Sequence, residues 1–279
     1  MIRILAIGIF AVVGNAPAQS ADCRLLKHNQ GTIVDGALVY STPILKVDAD
    51  GAPSAYRLDG QGLSFTCDGV AAIENGRKIG TDDPQWQKKC RSAWNAARES
   101  GDYSKIEIFG FATDAMGAPL IQRDADALAS TAFISTTFVN VLDAPEGTQR
   151  RYIDSLKIPY VVIPERIRQM YSVQDAAVAA VWRPHTQTLT FAVFGDTGGK
   201  FDEASIRLHQ DLHNSPLVKQ FGAIRARRNI EDSVVVALFP ARSTHARLDA
   251  AAWRSEIVRE GSAALEQWGG PERLKKCGP

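Results

Sequence analysis

The stretch FAVFGDTGGKFDEASIRLH, residues 191–209, passes from an apolar run through a glycine-rich turn into a helical pattern. The run before Gly195 is aromatic and β-branched, which favours a strand. Gly198 and Gly199 interrupt it, as glycines do at turns. The following DEASIRLHQDLHN reads as a short helix with Asp202 as its N-cap. Two carboxylates stand out: Asp196 after the strand and Glu203 at the helix start. An Asp in a turn and an acid at a helix start are ordinary features. Set on one rim of a sheet with glycines between them, they are also a candidate catalytic pair.

Outward from this stretch, TIVDGALVYSTPILKVDAD, KIEIFGFATD, TAFISTTFVNVL, IPYVVIP, AAVAAVWR, TLTFAVFG and SVVVALFP all read as strands. AVWRPHTQTLTFAVFGD reads as a hairpin turning at Pro184, His185 and Thr186. DPQWQKKCRSAWNAARES is helical, with Pro84 as an early N-terminal signal. DAAAWRSEIVREGSAALEQWGG puts Trp253, Ile257, Ala264 and Trp268 on one helical face and stops at Gly269-Gly270. Strands that follow one another with few helices between them argue a mainly β, α+β class. The expected form is one domain with a β-barrel-like core, the double-psi barrel being one candidate, and peripheral helices.

Residues 1–18 carry Arg3, an apolar run from Ile4 to Val13, and small residues ending Ala16-Pro17-Ala18. That order is a secretory signal peptide, and the run is too short to span a bilayer, which needs ~20 residues. The expectation is a secreted or periplasmic domain over residues 19–279, with no membrane association after cleavage. Formal net charge is +1, and losing Arg3 brings it to about zero, so no global field draws nucleic acid. Four cysteines remain, at 23, 67, 90 and 277. In an exported chain they suggest two disulfides with three possible pairings, of which 23–277 with 67–90 is preferred.

Nothing in the sequence supports serine-triad or nucleotide chemistry: G-x-S-x-G, P-loop and dinucleotide glycine patterns are missing. His209 and His213 at i, i+4 would place two imidazoles on one helix face, but no third ligand is identifiable, so no metal is assigned. Asp48 and Asp50 in VDADGAPSAY would share one face of a strand. With Tyr56 they could form a polar cleft wall carrying a sugar-stacking ring. The plainer reading is a strand end with an Asx turn.

Glycosidic hydrolysis needs one protonated carboxyl group at the leaving oxygen and one carboxylate to activate water or attack directly. Six segments in order, ALVYSTPILKVDADGAPSAY, GAPLIQRDAD, FISTTFV, YIDSLKIPYVVIP, VQDAAVAAVW and TFAVFGDTGGKFDEASIRLH, together resemble the family 75 glycoside hydrolases, the fungal-type chitosanases. The resemblance covers residues 37–213. It implies an inverting endo-hydrolase of β-1,4-linked glucosamine polymers such as chitosan, with no cofactor. It makes Asp196 and Glu203 the essential carboxylates and puts Asp48, Asp50 and Gly51 in the substrate cleft, where Tyr56 is expected to join them in binding sugar. Glu203 is assigned as acid and Asp196 as base, although a helix start would favour ionised Glu203. The sequence departs from the family in Gly199, which stands where a proline is usual. It also departs in an insertion near 66–110 that could line the cleft, and in a C-terminal helical extension from Ser215. GDTGG is also similar to double-psi barrel lytic transglycosylases that cleave peptidoglycan. A non-catalytic polysaccharide or cell-wall binder is the third alternative.

Overall fold

A computed structural model describes Cys23 and residues 30–278. The signal peptide expected over residues 1–18 lies outside the described residues. No helix among them is long and apolar enough to cross a membrane.

The chain begins with a hairpin, β1 (Thr32–Val34) and β2 (Ala37–Thr42), closed by Asp35 and Gly36 at positive φ. After β3 (Lys46–Asp48) come β4 (Val70–Glu74), β5 (Arg77–Lys78), α1 (Trp86–Ser100) and β6 (Ile106–Ile108). Next are β7 (Tyr160–Pro164), α2 (Glu165–Met170), β8 (Ala177–Arg183), β9 (Thr188–Gly198), β10 (Glu203–Ser205) and α3 (Ile206–Asp211). The chain closes with β11 (Leu217–Gln220), β12 (Ala223–Ala226), β13 (Val234–Ser243), α4 (Ala250–Trp268) and α5 (Pro271–Lys276).

Among the described residues the main sheet runs β1-β2-β13-β8-β9-β7-β10-β3. It is not a closed barrel, since β1 and β3 stand at its two ends. The class is mixed α+β with more strand than helix, as the strand-rich sequence implies. Most pairs are antiparallel, but β7 runs parallel to β9 and β10 parallel to β3. The expected hairpin is β8–β9, turning over Pro184–Thr186.

α4 forms where its pattern predicts. Asp249 caps it by accepting from the Ala251 and Ala252 N–H groups, and Gly269 ends it. Trp253, Ile257, Ala264 and Trp268 are all buried. The Trp253 indole donates to Thr244 Oγ1, and that of Trp268 to the Val34 carbonyl oxygen, both at 2.8 Å, so neither ring buries an unmet donor.

One expected strand does not form. Across TAFISTTFVNVL there are only isolated bridges, such as Ile121 to Phe133 and Phe111 to Ser135. Two buried glutamines replace ladder partners there. Gln149 Oε1 accepts from Ser135 N at 2.8 Å, while its Nε2 donates to the Gly51 and Ser135 carbonyl oxygens at 2.9 and 3.0 Å. Gln122 Nε2 donates to the Phe133 and Pro53 carbonyl oxygens at 3.0 and 2.7 Å. Buried backbone groups must be paired, and here the two glutamines supplement scattered backbone bonds, such as Phe133 N to the Tyr56 carbonyl oxygen and Ile134 N to that of Leu120, in place of one continuous ladder.

The insertion packs into a second, smaller core that it shares with Ala49, Tyr56, Phe133 and Ile206. The sheet β5-β4-β6 is backed by α1. Phe111 stacks on Phe133 at 4.7 Å, and Trp94 meets both edge-on at 5.8 and 5.7 Å. Disulfides join Cys67 to Cys90 within this unit and Cys23 to Cys277 near the chain ends, the pairing preferred from sequence.

α4 approaches the sheet closely because Gly261 has no side chain: a Cβ there would lie 2.6 Å from Phe191 Cδ1. Gly261→Ala gains up to ~1 kcal/mol of helix propensity but overpacks the interface at a cost of ~1–3 kcal/mol. The melting temperature should fall by a few degrees, at ~2–4 °C per kcal/mol for this size. An unchanged or raised value would mean that α4 does not press on β9.

Candidate active site

The register of four strands sets the site. Val162 of β7 lies opposite Asp196 of β9, and Ala204 of β10 lies opposite Val161. Glu203 is therefore next to Val162 on the other side, and opposite Lys46 of β3. Residues directly opposed across strands share a face, so Asp196 and Glu203 project on one face across two strand spacings, roughly 10 Å between backbones.

Asp196 takes that face because of a bulge. Val161 pairs with Phe194 but Val162 pairs with Asp196, leaving Gly195 as an extra residue. Without it Asp196 would share the face of Phe194, since strand side chains alternate. Only glycine fits there: a Cβ would sit 2.6 Å from Tyr160 Cβ. The Asp196 carboxylate is then anchored through Oδ1, which accepts from Phe138 N at 2.9 Å and Thr197 N at 2.7 Å.

Asp48 and Asp50 meet by an Asx turn rather than by strand alternation. Asp48 ends β3, and its Oδ1 accepts from the Asp50 N–H at 2.9 Å. The turn needs Gly51, which has φ of 77° and whose Cβ would lie 1.9 Å from the Ile153 carbonyl oxygen. Tyr160 secures the turn: its hydroxyl donates to Asp48 Oδ2 at 2.9 Å, with the Asp50 carbonyl oxygen equally near at 2.9 Å. Tyr160 carries no functional motif, and its only sequence signal was a polar ring tip in an apolar strand.

All four carboxyl groups line one cleft of about 920 Å³. Burial pushes the Glu203 carboxyl up to about 7, with repulsion from Asp48 and Asp202 adding and Lys46 and Lys200 opposing. Burial also raises Asp196 well above the usual carboxylate range, helped by Asp48 and opposed by the Thr197 and Phe138 N–H groups. Asp50 is raised by burial, then by Asp48 and Asp196, against the Tyr56 hydroxyl. Asp48 is raised by burial, against the Asp50 N–H and the Tyr160 hydroxyl. Desolvation and like charge act together, so these groups hold and release protons as a set.

Three readings from sequence change. Glu203 lies in β10 and not at a helix start; α3 begins at Ile206. Its N-cap is Ser205, whose hydroxyl accepts from Leu208 N at 3.1 Å, while Asp202 pairs with Lys46 Nζ at 2.8 Å. The capping role thus passes three residues along, because Glu203–Ser205 pair with β3 as a strand before the helix can begin. Tyr56 is 2% exposed, wedged between glycines: a Cβ on Gly69 or Gly110 would come within 2.8 or 2.5 Å of its hydroxyl oxygen. Its ring has no free face for a sugar, and only its polar end serves the cleft. The exposed aromatic on the cleft wall is Phe109, 47% accessible, with Lys78 Nζ 4.1 Å above its ring. Sequence reasoning passed over it because its neighbours read as an ordinary strand.

The histidines do not pair. α3 ends at Asp211 and His213 has φ of 59°, which breaks the i, i+4 alignment. His209 is buried; its Nε2 donates to the Lys46 carbonyl oxygen and its Nδ1 accepts from Asn214 Nδ2, both at 3.0 Å. It ties α3 to β3 as a neutral ring. Among the described residues no three His, Cys, Asp or Glu side chains group as metal ligands.

Burial lowers His209 to about 4 from an unfolded value near 6.5. Between those values the unfolded chain binds the proton and the folded one does not. His209 therefore adds to stability above pH ~6.5, and that contribution is lost as pH falls toward 4, by about 3 kcal/mol in all. Denaturant titrations at pH 7 and pH 4.5 should show wild type losing about 2–3 kcal/mol more than His209→Gln. Equal losses would contradict a neutral buried ring.

No family model matches this chain, and no curated protein matches it.

Proposed function

We propose that the protein is an exported endo-glycosidase that hydrolyses β-1,4 bonds of an amino-sugar polysaccharide, chitosan first, by an inverting two-carboxylate mechanism. The observation that carries this reading is one cleft holding Asp48, Asp50, Asp196 and Glu203, with the Glu203 carboxyl raised to about 7. A group poised there is half protonated at neutral pH, as a general acid requires.

In the proposed reaction Glu203 gives its proton to the glycosidic oxygen. Asp196 removes a proton from a water on the opposite face of the sugar. Two N–H donors hold Asp196 Oδ1, so Oδ2 is the atom offered to water. Burial, with repulsion from Asp48 and Glu203 added, raises the Asp196 carboxyl well above the usual carboxylate range. A glucosamine ammonium entering beside Asp48 and Asp50 would offset the like-charge part of that shift and favour the ionised form a base needs. A neutral sugar could not, which favours a cationic polymer. Phe109 would stack on a sugar ring. The reaction requires no cofactor.

The family 75 resemblance belongs to the same proposal, as does a barrel-like core of double-psi type over residues 19–279. The parallel β7–β9 and β3–β10 pairs support the latter, since an up-and-down meander has none. The two disulfides support a secreted or periplasmic location.

Purified protein assayed on chitosan, chitin and peptidoglycan should release reducing ends from chitosan with inverted anomeric configuration. Asp196→Asn and Glu203→Gln should each lower the rate by roughly 10²–10⁴. Cleavage of none of the three polymers, or full activity in both variants, would defeat the proposal. Attack on peptidoglycan alone would favour the transglycosylase alternative, and binding without cleavage the binder.

The pH profile gives a second check. Because Glu203 must be protonated, kcat/KM should fall above pH ~7, tenfold per unit. Asp48 is one cause of the raised value, so Asp48→Asn should move the alkaline limb to lower pH. A limb unmoved, or moved upward, would remove Glu203 from the acid role.

A further inference from the structure

A second hollow of about 650 Å³ opens from the catalytic cleft, and Cys67, Asp68, Trp86 and Arg227 line both. Its chemistry differs from that of the cleft. Trp86 and Phe221 supply aromatic surface, Phe221 being 78% exposed at the tip of the β11–β12 hairpin, while the Phe65 ring is covered by the Arg225 and Arg227 guanidiniums at 4.2 and 4.7 Å. Arg91, Arg98 and Arg227 supply guanidinium groups. Its two acids are already engaged. Asp59 takes both Nε and Nη2 of Arg57, at 3.2 and 3.0 Å. Asp68 accepts from Phe65 N at 3.0 Å and lies 3.7 Å from Arg227. Among the described residues Arg91 and Arg98 make no ion pair.

Arg91 and Arg98 stand seven residues apart on α1, so they share a face and are separated by roughly 10 Å along the axis. That is about the repeat of a β-1,4-linked disaccharide. Guanidinium forks match carboxylates and other planar or tetrahedral oxyanions, while aromatic faces match sugar rings. The cleft is lined by acids and its extension by cations, joined by a common wall.

We propose that this hollow is a distal subsite for the same polymer, and that it binds anionic substituents, carboxylate or sulfate, borne on alternate sugars beyond the bond that is cut. The inference rests on the glycan reading of the cleft. Under it the protein acts on chitosan and prefers an amino-sugar polymer that also carries anionic groups. The opposed charges of cleft and hollow also fix the direction in which the polymer lies.

The test compares chitosan, O-carboxymethyl chitosan and O-sulfated chitosan at low ionic strength, where exposed charges act most strongly. Wild type should show a KM roughly tenfold lower for one anionic polymer than for chitosan, and the larger preference identifies the substituent. Arg91→Ala with Arg98→Ala should erase that ratio, and lysine at both positions should restore part of it. No preference for either anionic polymer, or a preference that survives the double alanine variant, overturns the subsite. Calorimetry on Glu203→Gln, with and without the arginines, separates the two claims. Arginine-dependent binding with no cleavage by wild type would sink the hydrolase reading and leave the subsite. Cleavage of chitosan without an arginine effect would do the reverse.

Discussion

Holding several carboxyl groups together away from water is the constraint around which the rest of this molecule is arranged. Each group alone would be ionised and hydrated at neutral pH. Packed along β3, β7, β9 and β10 they raise one another, and the energy is met locally. The Phe138 and Thr197 N–H groups hold Asp196, the Asp50 N–H and Tyr160 hydroxyl hold Asp48, and the Tyr56 hydroxyl favours ionised Asp50. Glu203 has the least help: among the described residues its carboxyl accepts no hydrogen bond, and Lys46 and Lys200 act on it only through space. Burial places its carboxyl at about 7. Such concentration of like charge is costly to a fold and useful to a catalyst.

The supports reach further than the cleft. The Tyr160 ring can lie over β9 only because Gly195 has no side chain, and the same glycine turns Asp196 to the cleft side. Gly51 lets the Asx turn pass under Ile153, and its N–H donates to Ser135 Oγ at 2.9 Å. Ser135 in turn is fixed by Gln149. Behind β3, His209 pins the Lys46 carbonyl. Few apolar contacts are involved; the carboxylates are positioned through backbone geometry and a buried polar network, in which each member depends on the others being satisfied.

Local pattern was enough for the elements whose stabilising contacts are themselves periodic. α4 could be read because its cap, its buried stripe and its terminal glycines all lie within one segment. The β8–β9 hairpin could be read because Pro184 begins the turn between two apolar runs. What failed depended on distant partners. Asp202 looks like a cap until β3 pairs with the three residues after it. TAFISTTFVNVL looks like a strand until its backbone groups are divided among several segments, with Gln122 and Gln149 filling the gaps. Tyr56 looks like a free ring until Gly69 and Gly110 close over it. The juxtaposition of Asp48 with Asp196 and Glu203 is of the same kind. No spacing encodes it; it comes from β3 and β9 lying either side of β7 and β10 in the sheet.

The position of β13 has a consequence for how the chain reaches this state. It lies between β2 and β8, so strands from the two ends of the sequence are neighbours in the middle of the sheet. β2 cannot gain that partner until residues 234–243 have been made. Until then the apolar ALVYST segment is an unpaired edge, the kind that recruits other chains. Completion of the sheet is therefore a late event dominated by long-range closure, which is slow. A chain that assembles this way stays open while it is still being synthesised, and its central strands meet only once nearly the whole sequence is available.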